Sequence, residues 1–229
     1  MSSMVRKAIR KTMGHSLLRV MGWRFEGNKP EGFDKFVIVA APHTSNWDLP
    51  LMLACAYISD TDISWLGKHT LFRSFGGPFF TWLGGIPVDR TASRGMVQQV
   101  VDVFNRSEHL ALAVSPTGTR KKISGWKTGF YYIAHGSKVP IVLSYLDFKT
   151  KRAGFGPAIV PSGDVEADFE KFRAFYEGKQ GKYPEQDTPV VIRAERTYEP
   201  ATEREGVTDI LKDAYDSVRS TEGHKAKSP

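Results

Sequence analysis

A single α/β domain is what this sequence predicts, with a mainly parallel sheet flanked by helices and an amphipathic helix at its N-terminus. Three features point there. Apolar β-like segments alternate with longer helix-like ones between about residues 36 and 178. The β-like segments are apolar almost throughout rather than at every second position, which suits strands covered by helices on both faces. No internal repeat and no linker breaks the alternation, so the 229 residues build one core. The boundaries expected are a basic helix over 1–25, the α/β domain over 26–200, and a C-terminal helix and tail over 201–229.

At the N-terminus Arg6, Lys7, Arg10, Lys11, Arg19 and Arg24 crowd around Val5, Ile9, Met13, Leu17, Val20 and Met21, the spacing of an amphipathic helix. Such a helix suits a membrane interface, with apolar side chains among acyl chains and basic ones near phosphates. It suits equally well a stripe packed on its own domain with the charges outside, and the two arrangements are compatible. "FVIVAA" at 36–41 reads as a strand, followed by a helix from about Asn46 to Ile58. "DISWLG" at 62–67 is the next strand. "LFRSFGGPFFTWL" at 71–83 is a glycine-interrupted helical region, of which "GGPFFTWLGG" at 76–85 would border a channel or sink into lipid, and "GIPVD" at 85–89 is a further strand.

A helix from about Arg94 to Asn105 precedes the strand "HLALAVSP" at 109–116. "WKTGFYYIAHGS" at 126–137 has helical spacing, with rings most simply read as core. "VPIVLSYLDF" at 139–148 is strand-like, and "DVEADFEKFRAFYEG" at 164–178 is a helix ended by Gly178. Beyond Tyr183, "TPVVIRAE" has the composition of an edge strand and "EGVTDILKDAYDSVRS" the stripe of a terminal helix.

Hydrophobic residues make up 41% of the chain and charged ones 25%, proportions that set aside disordered and fibrous classes. The one cysteine, Cys55, permits no intrachain disulfide and no cysteine-based metal cluster, which suits a cytoplasmic protein; in its apolar stretch it reads as inert core. No metal site is expected. No apolar run reaches the ~18 residues of a spanning helix, and the N-terminus lacks a secretory signal. The net charge of +7 favours anionic partners. Without a recognition motif or a basic–aromatic platform beside that charge, nucleic acid is not among them.

Ligands in open α/β sheets sit at the carboxyl ends of strands, and "APHTSNWD" at 41–48 falls at such an end. Ser45 and Asp48 have the spacing of a capping box, in which Ser45 accepts from a first-turn N–H and Asp48 reaches back. Capping gives no reason for His43. A carboxylate bonded to one ring nitrogen would fix the tautomer and leave the other nitrogen to accept a proton, so His43 and Asp48 are also a candidate general-base dyad. No G-x-S-x-G elbow surrounds Ser45, which sets aside a serine hydrolase.

Here the sequence resembles the glycerolipid acyltransferases, the family of 1-acylglycerol-3-phosphate acyltransferases and their relatives. Its first signature, His then four residues then Asp, is similar to His43 through Asp48. The second block resembles "GGIPVDR", ending at Arg90, and the third, glutamate-glycine-threonine-arginine, resembles "SPTGTR" from Ser115 to Arg120. A proline-centred fourth block resembles "VPIV" at 139–142, and "GKHTLF" at 67–72 is similar to the segment with a phosphate-contacting lysine, which would be Lys68. Order and separation of the blocks match from roughly Phe36 to Leu146, about half the chain. The basic helix is likewise similar to the membrane-docking helices of bacterial members.

The resemblance implies transfer of a fatty acyl group from an acyl-CoA or acyl-carrier-protein thioester to a hydroxyl of a lysophospholipid or another phosphorylated alcohol. It implies no cofactor beyond that co-substrate, and peripheral attachment at the inner face of the membrane. His43 would withdraw the hydroxyl proton with Asp48 orienting its ring. Lys68, Arg90 and Arg120 would bind the acceptor phosphate, with Gly118 giving close backbone approach and Thr119 a hydroxyl. Thr117 stands where the family has glutamate, so the acceptor pocket is expected to differ there. A non-catalytic protein of the same fold that binds anionic membranes is the alternative.

Overall fold

The computed structural model of the chain describes residues 3–73, 75–88 and 93–193. The elements run α1 (Ser3–Val20), β1 (Arg24–Glu26), β2 (Lys35–Ala41), α2 (Asp48–Ile58), β3 (Ile63–Lys68), α3 (His69–Phe72), α4 (Gly77–Trp82) and β4 (Gly85–Val88). Then follow α5 (Ser93–Arg106), β5 (Leu110–Val114), α6 (Gly129–Ser137), β6 (Ile141–Asp147), β7 (Arg152–Ile159) and α7 (Val165–Tyr176). The terminal helix expected over 201–229 lies outside the described residues.

Seven strands form one sheet in the order β1-β7-β6-β2-β5-β3-β4. The five from β6 to β4 are mutually parallel, as the apolar runs predict; β7 pairs antiparallel with β6, and β1 parallel with β7. Neither β1 nor β7 is expected from the sequence. Glycines and a proline give β7 a poor strand composition, yet two of those glycines are what let it pair and pack. A Cβ on Gly154 would collide with the Glu26 carbonyl of β1, and one on Gly156 with the Phe175 ring of α7.

The two faces of β2 organise the core. Val37 and Val39 pack with Phe104 of α5, Ile133 of α6 and Phe169 of α7, all buried. Phe36 and Ile38 face the other way, toward Ala56 and Met52 of α2. α1 lies on α2 through Leu18 and Gly14, where any Cβ would meet the Ala54 carbonyl and the Ile58 side chain. The docked face is therefore not the predicted stripe. Val5, Ile9, Met13, Leu17 and Val20 are all exposed, while Lys7 pairs with Asp60 at 2.7 Å and Arg10 with Asp62 at 2.8 Å. Of the two arrangements open to an amphipathic helix, this one leaves the apolar stripe in solvent.

The expected edge strand at 188–195 is instead an irregular strap over residues 179–193, joined to Trp126 by one parallel bridge at Ile192. Pro184 and Pro189 remove ladder donors there, so a continuous strand cannot form.

Candidate active site

β2 and β5 are neighbours that run the same way, with Val39 opposite Val114. Their outgoing loops, 42–47 and 115–128, therefore leave the sheet side by side at its carboxyl end. The first loop carries His43, the second Gly118, Thr119 and Arg120. All four line a cavity of about 2010 Å³ that also takes in Asp48, Lys121, Lys127 and Arg193. Its deeper wall is apolar, with Met52, Trp65, Phe80, Phe130 and Phe155 among the lining.

His43 Nδ1 stands 2.9 Å from Asp48 Oδ2. That oxygen also accepts the backbone N–H groups of Thr44 and Ser45, each at 3.0 Å. Asp48 is buried at the first position of α2, near the positive end of the helix dipole, and three donors converge on one carboxylate oxygen. The capping geometry expected here is only half realised. Asp48 does reach back, but Ser45 Oγ accepts from Trp47 N at 3.1 Å, outside the helix, and Trp47 occupies the N-cap without a side-chain bond. The oxygen that reaches back is the one that holds the imidazole, so capping and orientation are one interaction.

In the second loop Gly118 adopts φ +61°, a left-handed turn that side chains disfavour. Arg120 Nη1 donates to Asn46 Oδ1, tying the two loops together across the cavity edge. Lys127, inconspicuous in the sequence inside an aromatic run, is brought to the same place. Its N–H donates to the Pro116 carbonyl at 2.9 Å, and its Nζ lies 3.9 Å from where a Cβ on Gly118 would stand. Lys127 forms no ion pair among the described residues. Its sequence signal is slight: a lysine one position after a tryptophan that the fold buries completely.

Thr117 is buried and turned under the loop. Its hydroxyl donates to the Thr119 carbonyl at 2.7 Å and meets Ser115 Oγ at 3.0 Å. It lines a second cavity of about 200 Å³ beneath the strap, together with Tyr176, Lys179 and Asp187. The residue that departs from the family's glutamate thus acts on the support of the loop. Its neighbours Pro116 and Gly118 line the larger cavity, and Thr117 shares the lining of the smaller one with His43. Burial raises the carboxyl of Asp187 above its usual range, against the lowering effect of the Gly181 N–H bonds at 3.0 and 3.2 Å.

The strap binds both loops. Tyr183 N donates to Thr44 Oγ1 at 3.2 Å, Lys122 N to Gln186 Oε1 at 3.3 Å, Ile123 N to Thr188 Oγ1 at 3.1 Å and Trp126 N to the Val191 carbonyl at 2.7 Å. Below, Tyr176 Oη lies 3.0 Å from the Val39 carbonyl and 2.8 Å from that of Ser144, joining β2 to β6.

Of the other predicted residues, Lys68 ends β3 opposite Val88, with its backbone alone described, and Arg90 lies outside the described residues. Cys55 borders the apolar part of the cavity, its thiol pushed up to about 12 by burial, which removes it as a nucleophile near neutrality. No helix among the described residues is long and apolar enough to cross a membrane.

No curated protein matches the chain. Among solved structures it is similar to the 1-acyl-sn-glycerophosphate (LPA) acyltransferase PlsC of Thermotoga maritima, at 15% identity, covering 97% of this chain and 81% of that one with a TM-score of 0.49. A family model described as Acyltransferase matches residues 23–144, more than half of the sequence and the stretch that holds both loops. The chain belongs to the acyltransferase family.

Proposed function

We propose that this protein transfers a fatty acyl group from a CoA or acyl-carrier-protein thioester to the hydroxyl of a lysophospholipid or a similar phosphorylated alcohol, at a membrane surface. The observation that carries the reading is the 2.9 Å contact between His43 Nδ1 and an Asp48 oxygen already fixed by two backbone donors, at the edge of a cavity that also gathers cations.

An ionised carboxylate only accepts hydrogen bonds, so Nδ1 must carry the proton and Nε2 the lone pair. Nε2 then takes the proton of the acceptor hydroxyl as its oxygen attacks the thioester carbon. The tetrahedral oxyanion collapses, the C–S bond breaks, and the imidazolium returns the proton to the departing thiolate. Asp48 stabilises the imidazolium in between. A positioned base of this kind contributes ~100- to 10,000-fold, and orientation of the two substrates supplies much of the rest.

Arg120 and Lys127 are proposed to hold the acceptor phosphate, the first through a fork and the second as a point charge, with Lys68 and Arg90 as further phosphate-binding cations. Thr119 and Gly118 complete that wall. The apolar depth of the cavity accommodates the acyl chain. In this reading 1–25 is the membrane-docking helix, 26–200 the catalytic domain and 201–229 an appendage, with the protein peripheral at the cytoplasmic face. The exposed stripe of α1 supports the membrane part.

Purified protein given acyl-CoA or acyl-carrier protein and a panel of lysolipids should release thiol and yield a diacylated product, with His43→Ala losing both. Equal thiol release by His43→Ala would remove His43 as the base. Binding to anionic vesicles with no acceptor acylated by the wild type would favour the non-catalytic alternative.

A further inference from the structure

We propose that the α3–α4 segment is a second lipid-inserting element, whose outer rings Phe75, Phe79 and Trp82 enter the surface of an anionic bilayer while its inner face forms a wall of the cavity. The inference rests on the reading of the cavity as an acyl-chain site.

α4 has two unlike faces. On the inner one Phe80 meets Trp65 edge-on at 6.3 Å and Phe72 at 6.4 Å, and Phe80 and Leu71 line the cavity. On the outer one Phe79 stacks on Trp82 at 6.1 Å, and these rings are 56% and 64% exposed, with Phe75 fully so. Three large rings in solvent on one short segment are more than the scattered apolar exposure of an ordinary surface.

The rings are held outward. A Cβ on Gly77 would collide with the Phe72 carbonyl, so glycine lets the start of α4 press directly on α3. The Phe72 ring is in turn boxed between Gly67 and Gly85, where added Cβ atoms would come within 2.7 to 2.8 Å of it. With α3 clamped to β3 and β4, the knuckle cannot fold its rings back into the core.

Two observations choose the occupant. A second copy of this chain would bring another +7 to the contact, whereas an anionic bilayer complements that charge. Trp65, which anchors Phe80, belongs to the core layer that α2 covers, and α1 with its exposed stripe sits on α2. Both apolar surfaces therefore belong to the layer on one face of the sheet. Trp and Phe are side chains that favour the headgroup boundary.

The test uses the full chain, the double variant Phe79→Ser/Trp82→Ser and vesicles of phosphatidylglycerol and phosphatidylcholine. Both side chains are exposed, so the variant's thermal midpoint should stay within about 2 °C of wild type. Its vesicle partitioning should fall about 10-fold or more. Acylation of an acceptor embedded in vesicles should fall in step, while acylation of a dispersed short-chain lysolipid stays unchanged. Unchanged partitioning would overturn the proposal, as would a wild-type dimer in sedimentation velocity that the variant dissolves. If partitioning falls but no lysolipid is acylated by either chain, the lipid surface stands and the acyltransfer reading of the cavity is what fails.

Discussion

The two loops at the carboxyl end of the sheet hold their functional groups in opposite ways. In the loop after β2, an imidazole and a carboxylate five residues apart are fixed by the backbone: Asp48 is buried and its Oδ2 accepts three donors. In the loop after β5, the backbone makes only a turn and a few anchoring bonds, and long cationic side chains reach into the cavity from it. Proton transfer requires heavy atoms in hydrogen-bond range, whereas attraction between a phosphate and a cation falls off slowly with distance. Under the proposed function, rigid placement belongs where the first is at stake, and reach is enough for the second.

Asp48→Asn breaks the comparison most sharply. An asparagine oxygen can still accept from Thr44 and Ser45, so the loop keeps its shape. The same oxygen keeps the bond from Nδ1–H, but the amide carries no charge to stabilise the imidazolium that forms when Nε2 takes the proton. Its NH2 falls at the Oδ1 position, which has no partner among the described residues. A fall in kcat of ~100- to 10,000-fold is expected with a nearly unchanged thermal midpoint. A tenfold fall or less in steady-state assays would mean that the carboxylate only caps the helix.

Changes in the second loop should be gentler and act on acceptor binding. Arg120→Ala should raise KM for a phosphorylated acceptor about 10- to 100-fold, the value of one or two charge-assisted hydrogen bonds, with kcat nearly preserved. Lys127→Ala should raise it about tenfold, and Lys127→Arg should restore most of that, because a point charge is what the site asks for. A matched acceptor without the phosphate should respond to neither. An equal loss with both acceptors would assign the Lys127 side chain to packing over the Gly118 turn instead, since its backbone bond to Pro116 survives the substitution.

Thr117→Val keeps shape but removes the bonds to Ser115 and the Thr119 carbonyl. The loss is about 1 to 3 kcal/mol, or a midpoint lower by roughly 2 to 10 °C, with KM changing less than for Arg120→Ala. A large change in acceptor preference at unchanged stability would return this residue to the pocket wall.

The first loop was legible in the sequence and the second only in part. His43 and Asp48 sit in one short stretch at a strand end, where local spacing and local geometry coincide. The apolar strands β2, β3, β5 and β6 were legible for the same reason: burial on both faces leaves a continuous mark. Lys127 depends on the Pro116 turn and on the burial of Trp126, which no local window contains. β7 was hidden by the glycines that its close pairing with β1 and α7 requires, and the strap by prolines that suit a loop as well as a ligature. Even the stripe of α1, plain as a pattern, did not reveal its direction, because Gly14 decides which face can approach α2.

The weakest interaction sharpens the contrast between rigid and mobile pairs. Lys7 and Asp60 form an ion pair at 2.7 Å like the dyad, but both side chains are about half exposed. The hydrogen bond from Lys7 holds the Asp60 carboxyl below its ordinary 3.8, and the same bond raises the Lys7 ammonium above its ordinary 10.5. A lowered carboxyl contributes stability above its unfolded value and loses it as pH falls through the folded one. A raised ammonium contributes below its unfolded value and loses it as pH rises through the folded one. The midpoint difference between wild type and Asp60→Asn should therefore be small and flat from about pH 5 to 9, vanish in stronger acid and in stronger base, and shrink in 1 M salt, where exposed pairs are screened. A difference that survives both acid and salt would mean that Asp60 acts through something other than charge, and not through the αL turn after α2, at φ 52°, which asparagine tolerates as well.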